Sequence, residues 1–85
     1  MYEVIIEGSA RKQIERFSEK ILKRVDRALT SLENNPRHSN VEKLTGYNLW
    51  RIRVGYYRII FEIDDAQKKV IVYKIKHRKE VYRRL

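Results

Sequence analysis

Residues 49–63, LWRIRVGYYRIIFEI, constrain the fold of this chain more than any other stretch. Read with a period of two, Trp50, Ile52 and Val54 share one side, and Arg51 and Arg53 the other. Past Gly55, Tyr57, Ile59, Phe61 and Ile63 alternate with Tyr56, Arg58, Ile60 and Glu62. Successive side chains of a strand point to opposite faces of its sheet, so both segments read as half-buried strands. With Gly55-Tyr56 as a two-residue loop, they form a hairpin in which Val54 faces Tyr57 and Arg53 faces Arg58. Glycine at the first loop position suits a type II′ turn. This register gathers apolar residues on one face and three arginines on the other. Like charges opposite one another are destabilising, so a chain that collects them is expected to put an anion there.

The rest of the chain supplies a cover for the apolar face. Tyr2 to Glu7 reads as a short strand, and Ser9 as the N-cap of a following helix. Ala10, Ile14, Phe17, Ile21, Val25, Ala28, Leu29 and Leu32 recur at helical spacing. They fit one long amphipathic helix or, with Ser18 as a second cap, a helical hairpin; periodicity leaves both open. Asn34-Asn35-Pro36 ends the helical stretch, because proline disfavours helix in the residue before it. Residues 36–48 are expected to form a connecting loop. Asp64 to Lys68 reads as a turn, Lys69 to Lys76 as the third strand of an antiparallel meander, and His77 to Leu85 as a short helix.

Pairing Ile63 with Lys69 sets Phe61 beside Ile71, Ile59 beside Tyr73 and Arg58 beside Lys74. Ile71, Tyr73 and Ile75 then face the core with Trp50 and Tyr57, while Val70, Val72, Lys74 and Lys76 join the arginines. The expected fold is α+β, with helices on one sheet face and the other face open and cationic. Eighty-five residues make a single domain, 1–85.

Twenty Lys and Arg against eleven Asp and Glu give a net charge of +9 and a pI near 10. Between Ala66 and Leu85 stand eight basic residues and one acid, Glu80. Clustered basic charge is the footprint of a nucleic-acid binder; a solvated surface or an acidic protein partner is the alternative. The lack of cysteine excludes disulfides and thiolate metal sites and suits a reduced cytoplasmic protein. Two histidines, His38 and His77, are too few for a zinc site, so no metal or other cofactor is expected. No apolar run approaches the ~20 residues that span a bilayer, and the first residues do not resemble a signal peptide. The expected location is cytoplasmic, with no membrane partner.

Arginine meets phosphate with a planar fork of donors that lysine lacks. Tyr56 on the cationic face and Tyr82 on the terminal segment are placed to stack on unpaired bases, a contact that contributes ~1–3 kcal/mol per base. For Tyr56 a plain hairpin-loop role is the alternative. Single-stranded or splayed RNA suits such a surface better than a duplex groove, and makes Lys74, Lys76 and Tyr56 candidate RNA contacts. No protein nucleophile constellation is visible, so any cleavage would use the substrate's own 2′-OH on the adjacent phosphate. The protein would orient the chain, stabilise charge at phosphorus and move a proton. In the basic region His77 is the only side chain of a type that titrates near neutral pH, and it is the candidate for proton transfer. Glu62 is either a second base or the partner of a neighbouring cation.

The helical stretch ending LENNP, then LTGYNLWRIRVGYYRIIFEIDD, then VIVYKIKHRKEVYRRL resemble, in order, the RelE/ParE superfamily of toxins from toxin–antitoxin pairs. The likeness spans nearly the whole chain, and WRIRVGYYRIIFEID followed by HR and VYR is its specific part. It implies a strand, a helical hairpin, an antiparallel meander and a terminal helix, and so favours the break near Ser18. It also implies a RelE-type mRNA interferase, a metal-independent endoribonuclease that enters the ribosomal A site and cuts the message. Ribosome, mRNA and a cognate acidic, RelB-like antitoxin would be its partners. By motif, the active residues carry over to Arg51, Arg53, Arg58, Arg78 and Tyr82, for phosphate stabilisation, proton transfer and base stacking. Some relatives carry lysine where Arg51 and Arg53 stand; arginine stays protonated and is a poor general base, so proton abstraction does not carry over with them. The segment from Arg78 to Tyr82 is also shorter than in some relatives. ParE-like relatives share the fold, lack the nuclease set and inhibit DNA gyrase.

Overall fold

The computed structural model describes residues 1–78. In chain order these form β1 (Glu3–Ile6), α1 (Gly8–Glu15), α2 (Glu19–Asn34), β2 (Val41–Lys43), β3 (Trp50–Val54), β4 (Tyr57–Asp64) and β5 (Lys69–His77). One sheet has the strand order β1-β5-β4-β3-β2. β1 runs parallel to β5, and the other pairs are antiparallel.

Two helices form rather than one. Arg16 and Phe17 donate their N–H groups to the carbonyls of Gln13 and Ile14, which closes α1. Ser18 then caps α2, its Oγ accepting from the Ile21 N–H at 3.4 Å. Ser9 is not a cap. The Glu7 N–H is donated to Val72 O, and the Glu7 carbonyl accepts from Arg11 N–H, so the last bond of β1 fixes Glu7 as the helix boundary. α2 stops at Asn34, with Asn35 extended ahead of Pro36, as the proline rule requires.

The helices cover one face of the sheet. Ala10, Val25, Leu29 and Leu32 pack with Ile52, Val54, Ile59, Phe61, Ile63, Val70, Val72 and Ile75, all buried. Each fully buried large aliphatic or aromatic side chain contributes about 1.5–3 kcal/mol. Trp50 and Tyr57 pack against the edge of this core.

The β3–β4 hairpin has the expected register, Val54 with Tyr57 and Arg53 with Arg58. Gly55 has φ +59°, and Tyr56 has no positive φ, the pattern of a type II′ turn. β4–β5 differs from the expected pairing. Asp64 pairs with Lys69, Ile63 with Val70 and Phe61 with Val72. The connecting turn spans 65–68, with Lys68 at φ +56° and the Gln67 N–H donated to Asp64 Oδ1. A one-residue slip exchanges the faces of a strand, so Val70 and Val72 enter the core while Ile71 and Tyr73 leave it. A bulge at Ile60/Phe61 then takes up Tyr73 as the extra residue and restores the phase. Beyond it Ile59 pairs with Ile75, Ile60 with Lys74, Arg58 with Lys76 and Tyr57 with His77. Ile75 is thus buried and Lys74 and Lys76 lie on the open face, as expected, whereas Tyr73 is 37% exposed rather than core.

The segment 36–48, expected as loop throughout, contributes β2, which pairs Glu42 with Arg51 on the free edge of β3. Opposite charges across an edge pair favour that register. β5 extends through His77, so the terminal helix does not begin there. The remainder of that segment, with Tyr82, lies outside the described residues. Among the described residues no helix is long and apolar enough to cross a membrane.

Candidate functional site

The sheet face opposite α1 and α2 carries its cations in rungs across three strands. One rung is Arg53, Arg58 and Lys76; the next is Arg51, Ile60 and Lys74. β2 intervenes at the edge. Its Glu42 Oε2 accepts from Arg51 Nη2 at 2.7 Å, and this bond holds the Glu42 carboxyl below the usual carboxylate range. Arg51 is thereby tied to the β2 edge, and Arg53 and Arg58 also act on the Glu42 carboxyl through their charge.

Arg53 and Arg58 converge with a third arginine. The Arg78 N–H donates to Tyr56 O at 2.7 Å, tying the end of β5 to the β3–β4 turn. The result is a pocket of about 200 Å³ lined by Arg53, Gly55, Tyr56, Arg58 and Arg78. Tyr56 is 68% exposed at its mouth. Gly55 is required twice over. Its φ favours glycine, and a Cβ there would lie 3.1 Å from Arg24 Nη1, which reaches across from α2. Three arginines line this one small pocket, and the planar fork of a guanidinium matches the oxygens of a phosphate.

The other sequence-predicted residues surround this pocket or stand apart from it. His77, opposite Tyr57, belongs by register to the helix side of the sheet. Its ring lies edge-on to Tyr57, 5.0 Å between centroids at 85°, and 6.2 Å from Tyr56. It flanks the pocket at the sheet end and does not lie on the open face. Glu62 accepts the Tyr73 hydroxyl hydrogen bond at 2.6 Å, which raises the Tyr73 pKa. Its partner among the described residues is thus the Tyr73 phenol, and it stands about 13 Å along β4 from Arg58 by strand rise. Lys74 and Lys76 border a second groove of about 610 Å³ on the same face, together with Tyr47, Ile60, Glu62 and Tyr73. Tyr47 and Tyr73 are the site features that sequence reasoning missed. The available signal for Tyr47 was an aromatic next to glycine in a polar segment; Tyr73 was hidden by the bulge.

A third groove, about 730 Å³, runs between α2 and β2–β3 and includes Arg24, Arg27, Ser31 and His38. Its Ser–His pair is not an activated nucleophile. Asn40 N–H donates to His38 Nδ1 at 3.2 Å, so Nε2 carries the proton and donates to Ser31 Oγ at 2.9 Å. The Ser31 hydroxyl in turn donates to Ala28 O at 2.6 Å. Among the described residues, no three His, Asp or Glu side chains come together as metal ligands would.

The family model described as ParE toxin of type II toxin-antitoxin system, parDE, matches residues 4–82. Among solved structures, the toxin–antitoxin complex RelBE2 of Mycobacterium tuberculosis is similar, at 25% identity and a TM-score of 0.80, over 91% of this chain and 98% of that one. The archaeal RelE–RelB complex of Pyrococcus horikoshii OT3 is 28% identical, with a TM-score of 0.80 over 91% and 94%. The isolated E. coli RelE toxin, at 19% identity, shares the fold with a TM-score of 0.80 over the full length of both chains. No curated protein sequence matches.

Proposed function

The chain belongs to the ParE toxin family of type II toxin–antitoxin systems, and from that premise we propose that it is a ribosome-dependent endoribonuclease that cuts mRNA. The observation that carries this reading is the meeting of Arg53, Arg58 and Arg78 around one pocket. An antitoxin partner follows from membership, and the M. tuberculosis and P. horikoshii relatives are both complexes with antitoxins. An acidic, RelB-like chain complements the charge of +9.

In the proposed reaction the ribose 2′-oxygen attacks the adjacent phosphorus. The O2′–P bond forms and the P–O5′ bond breaks, leaving a 2′,3′-cyclic phosphate and a 5′-hydroxyl. Negative charge grows on the non-bridging oxygens, and Arg53, Arg58 and Arg78 stabilise it. Donors fixed in advance of the reaction stabilise such charge without reorganising. A guanidinium is a poor general base, so none of the three removes the 2′ proton. His77, which flanks the pocket at the sheet end, is assigned the O2′ proton, and a water molecule supplies the proton that the departing O5′ takes. Arg51, Lys74 and Lys76 hold the flanking backbone, Tyr56 stacks at the pocket mouth, and Tyr82 stacks from the terminal segment. The ribosome, in this reading, supplies the ordered message.

The family model is named for ParE toxins, and the resemblance to ParE-like relatives gives a second reading, a gyrase-inhibiting toxin without nuclease activity. Mapping mRNA 5′ ends after brief expression separates the two. New ends in phase with codons are expected for the nuclease. Intact ends together with a DNA-damage response would establish the gyrase reading instead.

A further inference from the structure

We propose that the groove bordered by Tyr47 and Tyr73 is a nucleobase subsite, taking one unpaired base of the RNA strand whose phosphate occupies the arginine pocket. The inference deepens the RNA-cutting reading above and rests on it.

The residues build the groove as follows. The turn between β2 and β3 is closed by Leu44 N–H to Leu49 O at 2.9 Å and Tyr47 N–H to Leu44 O at 3.3 Å. Gly46, at φ +80°, lets it turn, and Tyr47 is presented 67% exposed. Across the groove the β4–β5 bulge turns Tyr73 out of the core, and its hydroxyl bond to Glu62 holds the ring at the groove wall. Ile60, between them in sequence register with Arg51 and Lys74, supplies an apolar floor. Two exposed rings over an aliphatic floor match the flat face of a base, and stacking of that kind is tolerant of base identity.

The charges say which part of a nucleotide belongs here. Glu62 borders the groove, and a carboxylate repels phosphate but tolerates a neutral heterocycle with amino donors. Lys74 and Lys76 stand at the rim, beside Arg58 in the same cationic rungs, where the phosphates on either side of the base would fall. Ile60 lies about 7 Å from Arg58 along β4, within reach of the next nucleotide of one chain. The same face thus offers a phosphate pocket and, one step along the strand, a dry platform.

The test uses the full-length protein bound to ribosomes carrying a message with 2-aminopurine in the A-site codon, its 2′-hydroxyls methylated to block cutting. Wild type is expected to quench the fluorophore at one codon position. Tyr47→Ala should abolish that quenching and weaken binding by about fivefold or more, with the salt dependence unchanged because no charge is lost. Tyr47→Phe should behave as wild type, and Tyr73→Phe, which keeps the ring but loses the tie to Glu62, should fall between. Equal quenching and affinity for Tyr47→Ala, with unmodified message still cut by wild type, overturns the subsite alone. Loss by Tyr47→Ala of antitoxin binding only, with RNA contacts intact, makes the groove a protein-docking surface and also overturns it. Failure of wild type to cut unmodified message removes the nuclease reading and this inference with it.

Discussion

Arg58 stands between two other cations, opposite Arg53 on β3 and Lys76 on β5. Cations side by side repel one another, and in the proposed reaction an incoming phosphate is what they meet. Removing one preorganised donor to a developing oxyanion slows catalysis by about 10²–10³-fold. Arg58→Ala is expected to lose cleavage of ribosome-bound mRNA by that order, measured in single turnover. Arg58→Lys should restore only part of it, since an ammonium keeps the charge and lacks the fork. Arg51 is tied by an ion pair to Glu42 on the β2 edge. The sequence displays all three arginines as equals in one alternating pattern; that tie arises from β2, a three-residue edge strand with no local signal strong enough to announce it.

At the scale of elements, the β3–β4 hairpin was legible because alternation and a single glycine admit one register. Gly55→Ala should expose that dependence. The left-handed φ is unfavourable for a side chain by roughly 1–2 kcal/mol, and the new Cβ would press on Arg24, so a lower denaturant midpoint is expected. β5 was less legible. VIVYKI presents apolar residues in either phase, and the bulge that resolves the conflict depends on partners distant in sequence. The helical break was resolved locally by Ser18, whereas the parallel pairing of β1 with β5 spans almost the whole chain and leaves no trace in either segment alone. A further tie joins three elements. Asp65, in the β4–β5 turn, receives Tyr2 from the start of β1 and both Nη groups of Arg37 from beyond α2. Arg37 also lies over the Trp50 ring at 5.2 Å. The Arg37 hydrogen bonds, with Tyr2 next, hold the Asp65 carboxyl well below the usual carboxylate range. A carboxyl depressed in the folded state stabilises above its unfolded pKa of about 3.9 and loses that contribution as pH falls through it. Stability measured by unfolding should therefore decline below about pH 5, and Asp65→Asn should be less stable at neutral pH and show a shallower decline.

Over the whole molecule, the net charge of +9 and the crowded cationic face predict stabilisation by anions. At constant ionic strength, inorganic phosphate should raise the melting temperature more than chloride does. A site filled to one hundred times its Kd contributes about 2.7 kcal/mol, which for a domain of this size is a rise of roughly 10–20 °C. Arg53→Ala should show a smaller phosphate-specific rise, which separates the pocket from general salting effects.

β5 comes after every other strand in the chain, yet it sits inside the sheet, between β1 and β4. A polypeptide leaving the exit tunnel from its N-terminus holds β1 with no neighbour until almost all of the sheet has emerged. Such long-range closure is slow to form. Arg78 reaches Tyr56 only after that closure, so the three-arginine pocket is absent from the nascent chain.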